Sequence, residues 1–217
     1  MSYLGIDVTG GSRPFSFVLL DELVPNAALP EIVDGVASLG WIPARRQEIV
    51  ALAERLSPDV IAIDAPSGVP AGLRFECCFE DEPACDCEIE GSWDGGPQKM
   101  RIAEHELAAM GLGGFPTNKD SPLPWKALVR EVMPVWDELA ELGYRPGVDL
   151  IETFPYAAWR RLAPSSVFEW RGGVKNDLYD AVLCALVAGC HHRGGTETLG
   201  EPEEGFLVIP SESWRGG

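Results

Sequence analysis

The chain has 217 residues, which suffices for one well-buried α/β core and is short for two. Its 46% hydrophobic and 24% charged residues match an ordinary folded protein and exclude both extensive disorder and a fibrous repeat. The formal net charge of −17 disfavours nucleic-acid binding, because that binding is normally driven by basic residues.

The negative charge is unevenly distributed along the chain. Eight acidic residues and no basic residue lie between Glu76 and Asp94, and the rest of the chain carries 26 acidic against 17 basic residues. Basic residues cluster at Arg160, Arg161, Arg171 and Lys175, where only Glu169 opposes them. A locally positive surface is therefore compatible with an acidic protein.

The cellular location is inferred from hydrophobic runs and from the start of the chain. No apolar run approaches the ~20 residues that a membrane-spanning helix needs, so no membrane partner is expected. The first predicted strand begins almost at Met1, which leaves no room for a signal peptide. We therefore expect a cytoplasmic protein with reduced thiols.

The first predicted elements form a hairpin, because two apolar runs flank a Gly-rich turn at 9–12. The strands cover 3–8 and 15–20 and should be antiparallel. A weaker extended segment near 38–42 precedes a helix that Pro43 begins and that runs through Arg55.

A strand over 60–63 follows, and its continuous apolar character predicts burial on both faces. An acidic, Cys-rich insertion over 76–98 comes next and is predicted to be a loop. Four more helices are predicted, over 99–110, 125–142, 156–162 and 177–192. Gly143 is the predicted C-cap of the second of them, and Pro155 directly precedes the third. Two more strands are predicted, one over 149–153 and an edge strand over 206–209.

Carboxylates end two of these apolar runs. If the strand that ends at Asp64 lies beside and parallel to the strand that ends at Asp7, the two residues are about 4.8 Å apart in the pairing direction. Buried carboxylates this close need a positive partner, and a divalent cation is the usual one. The alternative is that an Asp here only caps a turn.

The last helix should bring a third carboxylate to this edge of the sheet. Ala181, Ala185 and Ala188 form a stripe of small residues that allows a close approach to the sheet. Asp177 and Asp180 share one face near the helix N-terminus, and one of them should reach Asp7. The alternative for Asp177 is a helix N-cap.

Five short motifs in this order resemble the DUF429 family of predicted nucleases. They are Gly-Ile-Asp-Val-Thr-Gly-Gly, Ile-Asp-Ala-Pro-Ser-Gly-Val-Pro, Arg-Ile-Ala-Glu, Ile-Glu-Thr-Phe-Pro-Tyr-Ala and Asp-Leu-Tyr-Asp-Ala-Val. The resemblance implies one ribonuclease H-like domain over 1–217, with a central mixed sheet, an N-terminal hairpin, helices on both faces, and the segment 76–98 as an insertion. The final helix also resembles that of RuvC-type resolvases.

The resemblance further implies Mg²⁺-dependent hydrolysis of nucleic acid, with Asp7, Asp64 and Asp180 as metal ligands. Glu152 matches the Glu before Phe-Pro and is expected at the same sheet edge, one strand farther out, as a catalytic residue together with Asp177. Hard oxygen ligands select Mg²⁺ or Mn²⁺, and two ions about 3.5 to 4 Å apart would activate water and stabilise the leaving oxygen.

Three basic residues are candidates for substrate binding. Lys175 or Arg171 could neutralise the scissile phosphate. Arg101 matches the family motif together with Glu104 and could line the site, and the alternative for these two residues is an ordinary surface charge pair.

A second metal site is weighed at Cys77, Cys78, Cys85 and Cys87. Adjacent cysteines followed by a Cys-x-Cys pair depart from the usual Cys-x₂-Cys spacing of zinc sites. The sequence therefore favours a lid with free thiols over Zn²⁺ binding.

Two further functions stay open at this level. The turn Asp-Val-Thr-Gly-Gly-Ser resembles the phosphate loop of actin-like kinases, which favours a phosphohydrolase acting on a small nucleotide. A non-catalytic binding module with a structural metal ion is the other alternative. A resolvase-like enzyme would additionally require a homodimer to cut two strands symmetrically.

Overall fold

The computed structural model describes residues 1–9, 15–21, 46–80, 85–93, 96–114, 116–162 and 174–213. The strands are β1 Tyr3–Asp7, β2 Ser16–Leu20, β3 Val60–Asp64, β4 Ser92–Trp93, β5 Gly96–Pro97, β6 Leu150–Glu152, β7 Thr196–Glu201 and β8 Gly205–Pro210. The helices are α1 Arg46–Leu56, α2 Phe75–Cys78, α3 Ile102–Ala109, α4 Leu123–Glu141, α5 Pro155–Leu162 and α6 Val174–His192.

Six strands form one mixed sheet in the order β2-β1-β3-β6-β8-β7. β1 pairs antiparallel with β2, as the sequence predicted, while β1, β3, β6 and β8 run parallel to one another. β7 closes the far edge antiparallel to β8. The structure is therefore α/β, and the ribonuclease H-like assignment within this class stays a prediction.

Helices cover both faces of the sheet because the strands are apolar on both sides. Leu4 and Ile6 of β1 pack with α1 and α4. Tyr3 points the other way and packs in the cluster that contains Leu183 and Val187 of α6. This arrangement follows from the alternation of side chains along a strand, and it encloses the parallel strands.

Helix α6 approaches β1 very closely at Gly5. A Cβ atom built on Gly5 would collide with backbone atoms of Ala181 and Ala185. Small residues on both elements are thus required, and the predicted Ala stripe serves this contact. The contact fixes the first turns of α6 against the end of β1.

Several predicted elements differ from those in the structure or lie outside the described residues. The strand over 206–209 is inside the sheet rather than at its edge, because an unpredicted strand, β7, covers it. β7 has the sequence Thr-Glu-Thr-Leu-Gly-Glu with only Leu199 buried, so it lacks an apolar signal. The turn residues 10–14, the segment 38–42 and the helix start at Pro43 lie outside the described residues.

The insertion is more structured than the predicted loop. It contains the short helix α2 and the two-stranded pairing of β4 with β5. Leu73, Cys78 and Phe79 are buried against Val129 of α4 and form a small separate core. Within the described ranges, no helix is both long and apolar enough to span a membrane.

Candidate metal and active site

Two strand ends place Asp7 and Asp64 side by side. β1 and β3 are parallel with Asp7 opposite Asp64, and each carboxylate follows a run of buried residues. β6 extends the same edge, where Ile63 is the register partner of Glu152. The register required by the predicted metal site is therefore present.

Helix α6 contributes the third carboxylate. Asp180 lies one residue before Ala181, which packs against Gly5, so the close contact carries Asp180 to the end of β1. One carboxylate oxygen from each of Asp7, Asp64 and Asp180 lies within 4.8 Å of the other two. Three residues distant in sequence thus offer a set of hard oxygen donors that could hold a metal ion.

The electrostatics of this group are unfavourable without a cation. Burial raises the pKa of Asp64 well above its ordinary value, and the charges of Asp180 and Glu152 raise it further. Burial, Asp7 and Asp177 raise the pKa of Asp180 to about 8. Oδ1 of Asp180 is buried and has no hydrogen-bond partner among the described residues. A divalent cation would supply the missing partner and offset the repulsion.

Asp177 stays outside the group of three ligands. Helix α6 begins at Val174, so Asp177 lies inside its first turn and the N-cap alternative is wrong. Asp177 acts on the site through its charge, which raises the pKa of Asp180. The side chain of Lys175 and the whole of Arg171 lie outside the described residues, and their phosphate-binding roles stay predictions.

Glu152 is held by a buried ion pair. Its carboxylate accepts hydrogen bonds from the backbone N–H and the hydroxyl of Ser67, at 2.7 and 2.8 Å, and from Nη1 and Nη2 of Arg101, at 2.8 and 2.5 Å. These bonds engage both of its oxygens. Glu152 is therefore held in place beside Asp64, and its catalytic role stays a prediction.

Arg101 lies in the interior instead of forming an ordinary surface pair. It is 1% exposed and also donates to Oε1 of Glu104 at 3.0 Å. Burial alone would lower the pKa of the guanidinium, but Glu152 and Glu104 raise it above its usual value. The surface-pair alternative is wrong, and a direct role for Arg101 in substrate binding stays a prediction.

A buried carboxylate that sequence reasoning missed connects the insertion to α3. Glu204 is 1% exposed and accepts hydrogen bonds from the backbone N–H of Ala71 at 2.8 Å, from Nε2 of Gln98 at 2.8 Å and from the N–H of Ile102 at 2.6 Å. It lies in the turn Glu-Pro-Glu-Glu-Gly, which has the composition of an exposed loop. Nothing local distinguishes Glu204 from its acidic neighbours.

A cavity of about 520 Å³ opens beside the carboxylates. Asp64 and Glu152 line one part of it, and Trp125, Phe154 and Tyr156 supply aromatic walls. Its volume falls in the range of about 300–1,000 Å³ that small-molecule sites occupy. The arrangement can therefore accommodate a compact organic group next to the edge of the sheet that carries the carboxylates.

The insertion contains a second group of metal-ligating atoms. The sulfur atoms of Cys77, Cys78, Cys85 and Cys87 lie within 4.8 Å of one another and could hold a metal ion. The spacing along the chain did not indicate this convergence.

Comparison with known proteins leaves the family open. The chain matches no protein-family model, and no curated protein or solved structure is significantly similar to it. These comparisons neither support nor refute the resemblance to DUF429, which stays a prediction.

Proposed function

We propose that this protein is a metal-dependent phosphodiesterase that hydrolyses nucleic acid with Mg²⁺ or Mn²⁺ bound by Asp7, Asp64 and Asp180. The convergence of three carboxylates from β1, β3 and α6 within 4.8 Å supports the proposal above any other observation. The buried oxygen of Asp180 without a described partner fits a cation at this position.

Each residue of the site would have a distinct role. Asp7 and Asp64 fix the cation from the rigid sheet, and Asp180 completes the set from α6. Bound divalent ions supply a Lewis acid for the phosphate and lower the pKa of an attacking water. Arg101 and Ser67 hold Glu152 and thereby keep a fixed negative charge beside Asp64.

The acidity of the chain limits the substrate but does not oppose the chemistry. Eight of the 34 acidic residues lie in the segment from Glu76 to Asp94, so the rest of the chain carries 26 acidic against 17 basic residues. Arg171 and Lys175 directly precede Asp177 and Asp180 in sequence and are our candidates for contacts to the phosphate.

A phosphohydrolase acting on a small nucleotide is the second candidate, and the cavity favours it. Trp125, Phe154 and Tyr156 offer faces on which a nucleobase could stack while Asp64 lies in the same cavity. A mononucleotide would also tolerate the net charge of −17 better than a long polyanion would.

The experiment that tests the proposal compares substrates and variants in parallel. Purified protein with Mn²⁺ or Mg²⁺ is incubated with single-stranded, double-stranded and branched DNA, with RNA, and with mononucleotides, and products are resolved by electrophoresis or chromatography. We expect cleavage of oligonucleotides, and loss of at least about 100-fold in rate for Asp7→Asn without loss of folding.

The matched control is Asp137→Asn, which makes the same chemical change at an exposed position on α4 and should keep full activity. Turnover of mononucleotides alone would select the second candidate. An inactive wild-type protein would exclude both enzymes and leave the non-catalytic binding module. Equal activity in Asp7→Asn would exclude a catalytic role for Asp7 and overturn the proposal.

A further inference from the structure

Four cysteines in the insertion form a compact sulfur cluster. Cys77 and Cys78 end α2. Cys85 and Cys87 lie on the segment 85–90, whose burial alternates from one residue to the next as along an extended chain. The Sγ atoms of Cys78 and Cys85 are 3.4 Å apart, those of Cys77 and Cys87 are 3.7 Å apart, and those of Cys77 and Cys78 are 3.8 Å apart. All four thiols are free.

These separations match one tetrahedral ion. A Zn–S bond of about 2.3 Å in tetrahedral geometry places the sulfur atoms about 3.8 Å from one another. A polynuclear iron–sulfur cluster would separate the thiolates farther, since its inorganic atoms lie between them. The cluster therefore has the size of a mononuclear site.

The extended segment presents its side chains in alternation. Cys85, Cys87 and Ile89 are half-buried, and the intervening Asp86 and Glu88 are exposed. The Cys-x-Cys spacing thus places both sulfur atoms on the inner side of one extended chain. Adjacent Cys77 and Cys78 at the end of a helix complete the set, which explains how an unusual spacing still yields four converging ligands.

Apolar packing and Arg74 surround the four sulfur atoms. Leu73, Phe79 and Val129 bury one side of the cluster in apolar packing. The backbone N–H of Arg74 donates to Sγ of Cys78 at 3.4 Å, and Nε of Arg74 donates to Sγ of Cys87 at 3.4 Å. Hydrogen bonds and a positive charge next to the sulfur atoms stabilise the net negative charge of a tetrathiolate site.

We propose that Cys77, Cys78, Cys85 and Cys87 bind one structural Zn²⁺ ion that holds the insertion in place. Four thiol protons are released when the ion binds, and the binding free energy contributes to folding. Soft sulfur ligands select Zn²⁺ here, while the hard carboxylates of the acidic site select Mg²⁺ or Mn²⁺. This proposal does not depend on the proposed hydrolytic activity.

The ion would reinforce the contacts that hold the insertion against the rest of the chain. Beyond the sulfur cluster, Nζ of Lys119 donates to the carbonyl of Cys87 at 2.9 Å, and Nζ of Lys126 donates to the carbonyl of Glu80 at 3.4 Å. The insertion joins β3, which ends at Asp64, to α3. A fixed insertion therefore keeps the entry to α3 and the wall of the cavity in place.

The first test is elemental analysis of the purified full chain by inductively coupled plasma mass spectrometry. We expect about one zinc per chain in the wild type, and a loss of at least about five-fold in Cys78→Ser and in Cys85→Ser. Cys190→Ser is the matched control, because Cys190 lies in α6 and outside the cluster, and it should retain the metal. Asp180→Asn should also retain it.

Cobalt substitution of the wild type keeps the proposal testable if the cysteine variants fail to fold. Co²⁺ bound by four thiolates gives sulfur-to-cobalt charge-transfer absorption and the strong visible bands of a tetrahedral site. Three results would each overturn the proposal. The first is iron in place of zinc, and the second is fewer than about 0.1 zinc per chain together with four reactive thiols. The third is zinc that is lost in Asp180→Asn and kept in Cys78→Ser.

Discussion

The environment of Asp180 shows most directly what the candidate metal site requires. Asp180 lies on the helix that Gly5 allows to approach β1, and Asp7 and Asp177 act on it together with burial. A carboxyl with a pKa of about 8 is largely protonated at neutral pH unless a cation binds. Binding of a cation at this position would therefore release a proton.

This coupling predicts a pH-dependent stability in buffer without Mg²⁺ or Mn²⁺. The folded-state pKa of Asp180 is raised, so its contribution to stability is fully present below about pH 4 and is lost as pH rises through about 8. The side chain of Asn cannot ionise, so Asp180→Asn does not lose stability as the pH rises. The Tm difference between variant and wild type should grow from pH 4 to pH 8 and reach about 3 °C or more, on the order of 1 kcal/mol.

Differential scanning fluorimetry across this pH range measures the effect. Asp137→Asn, at an exposed position, should give a Tm difference that does not change with pH. Added Mn²⁺ at pH 8 should raise the Tm of the wild type more than that of Asp180→Asn. A Tm difference between Asp180→Asn and the wild type that stays constant with pH would contradict the raised pKa of Asp180.

At the scale of elements, the contact between β1 and α6 controls the geometry of the site. β1 carries Asp7 and α6 carries Asp180. The distance between these two elements can be short because Gly5 has no side chain. The tight approach also explains why α6 needs Ala181 and Ala185 at the crossing. Stability and the spacing of the candidate metal ligands therefore depend on the same contact.

Gly5→Ala should separate the two elements. The added methyl group collides with backbone atoms of Ala181 and Ala185, which cannot rotate away, so we expect a loss of about 1–3 kcal/mol in the free energy of unfolding. Mn²⁺ affinity should fall as well, because Asp180 moves with α6. Urea unfolding and calorimetric titration with Mn²⁺ measure the two effects.

Gly113→Ala is the control for this substitution. A Cβ at Gly113 would meet its nearest atoms at an ordinary 3.5 Å, so the change should cost less than about 0.5 kcal/mol. If Gly5→Ala unfolds at the same urea concentration as the wild type and binds Mn²⁺ equally well, the close contact does not control the site.

Sequence patterns predicted most elements because their signals are local. The apolar runs of β1, β2 and β3 and the final helix were predicted near their observed bounds. The parallel pairing of β1 with β3, on which the expected closeness of Asp7 and Asp64 depended, is present. β7 was missed because a polar edge strand carries one buried side chain and no periodic signal. Its partner β8 was consequently expected at the edge.

At the scale of the whole molecule, charge is the feature that most affects substrate choice. The net charge of −17 repels a polyanion at long range, and a large share of the excess belongs to the insertion. The exposed Asp86, Glu88 and Glu90 contribute to this field. The acidic insertion should therefore slow the encounter with nucleic acid at low ionic strength.

Neutralising these three residues tests the influence of the field. The triple variant Asp86→Asn, Glu88→Gln and Glu90→Gln should bind a labelled oligonucleotide on the order of 3-fold more tightly at low ionic strength. The gain should vanish near 1 M salt, where the screening length is about 3 Å. Fluorescence anisotropy over a salt series measures it.

A variant with three charges neutralised on α4, at Asp137, Glu138 and Glu141, provides the comparison. Equal gains in both variants identify the total charge as the cause, and a larger gain in the insertion variant identifies a local field. Unchanged affinity at low salt in both variants would show that the net charge does not limit binding.

The sequence by itself determined where carboxylates stand at the ends of buried strands and which face of α6 is small enough to meet them. These features depend on the alternation of residues within short segments. Only the tertiary structure decided that Arg101 and Glu152 form a buried pair, that Glu204 joins Ala71 to α3, and that four cysteine sulfurs converge. The burial of a polar or sulfur-bearing side chain depends on partners far away in the chain, which no local pattern records.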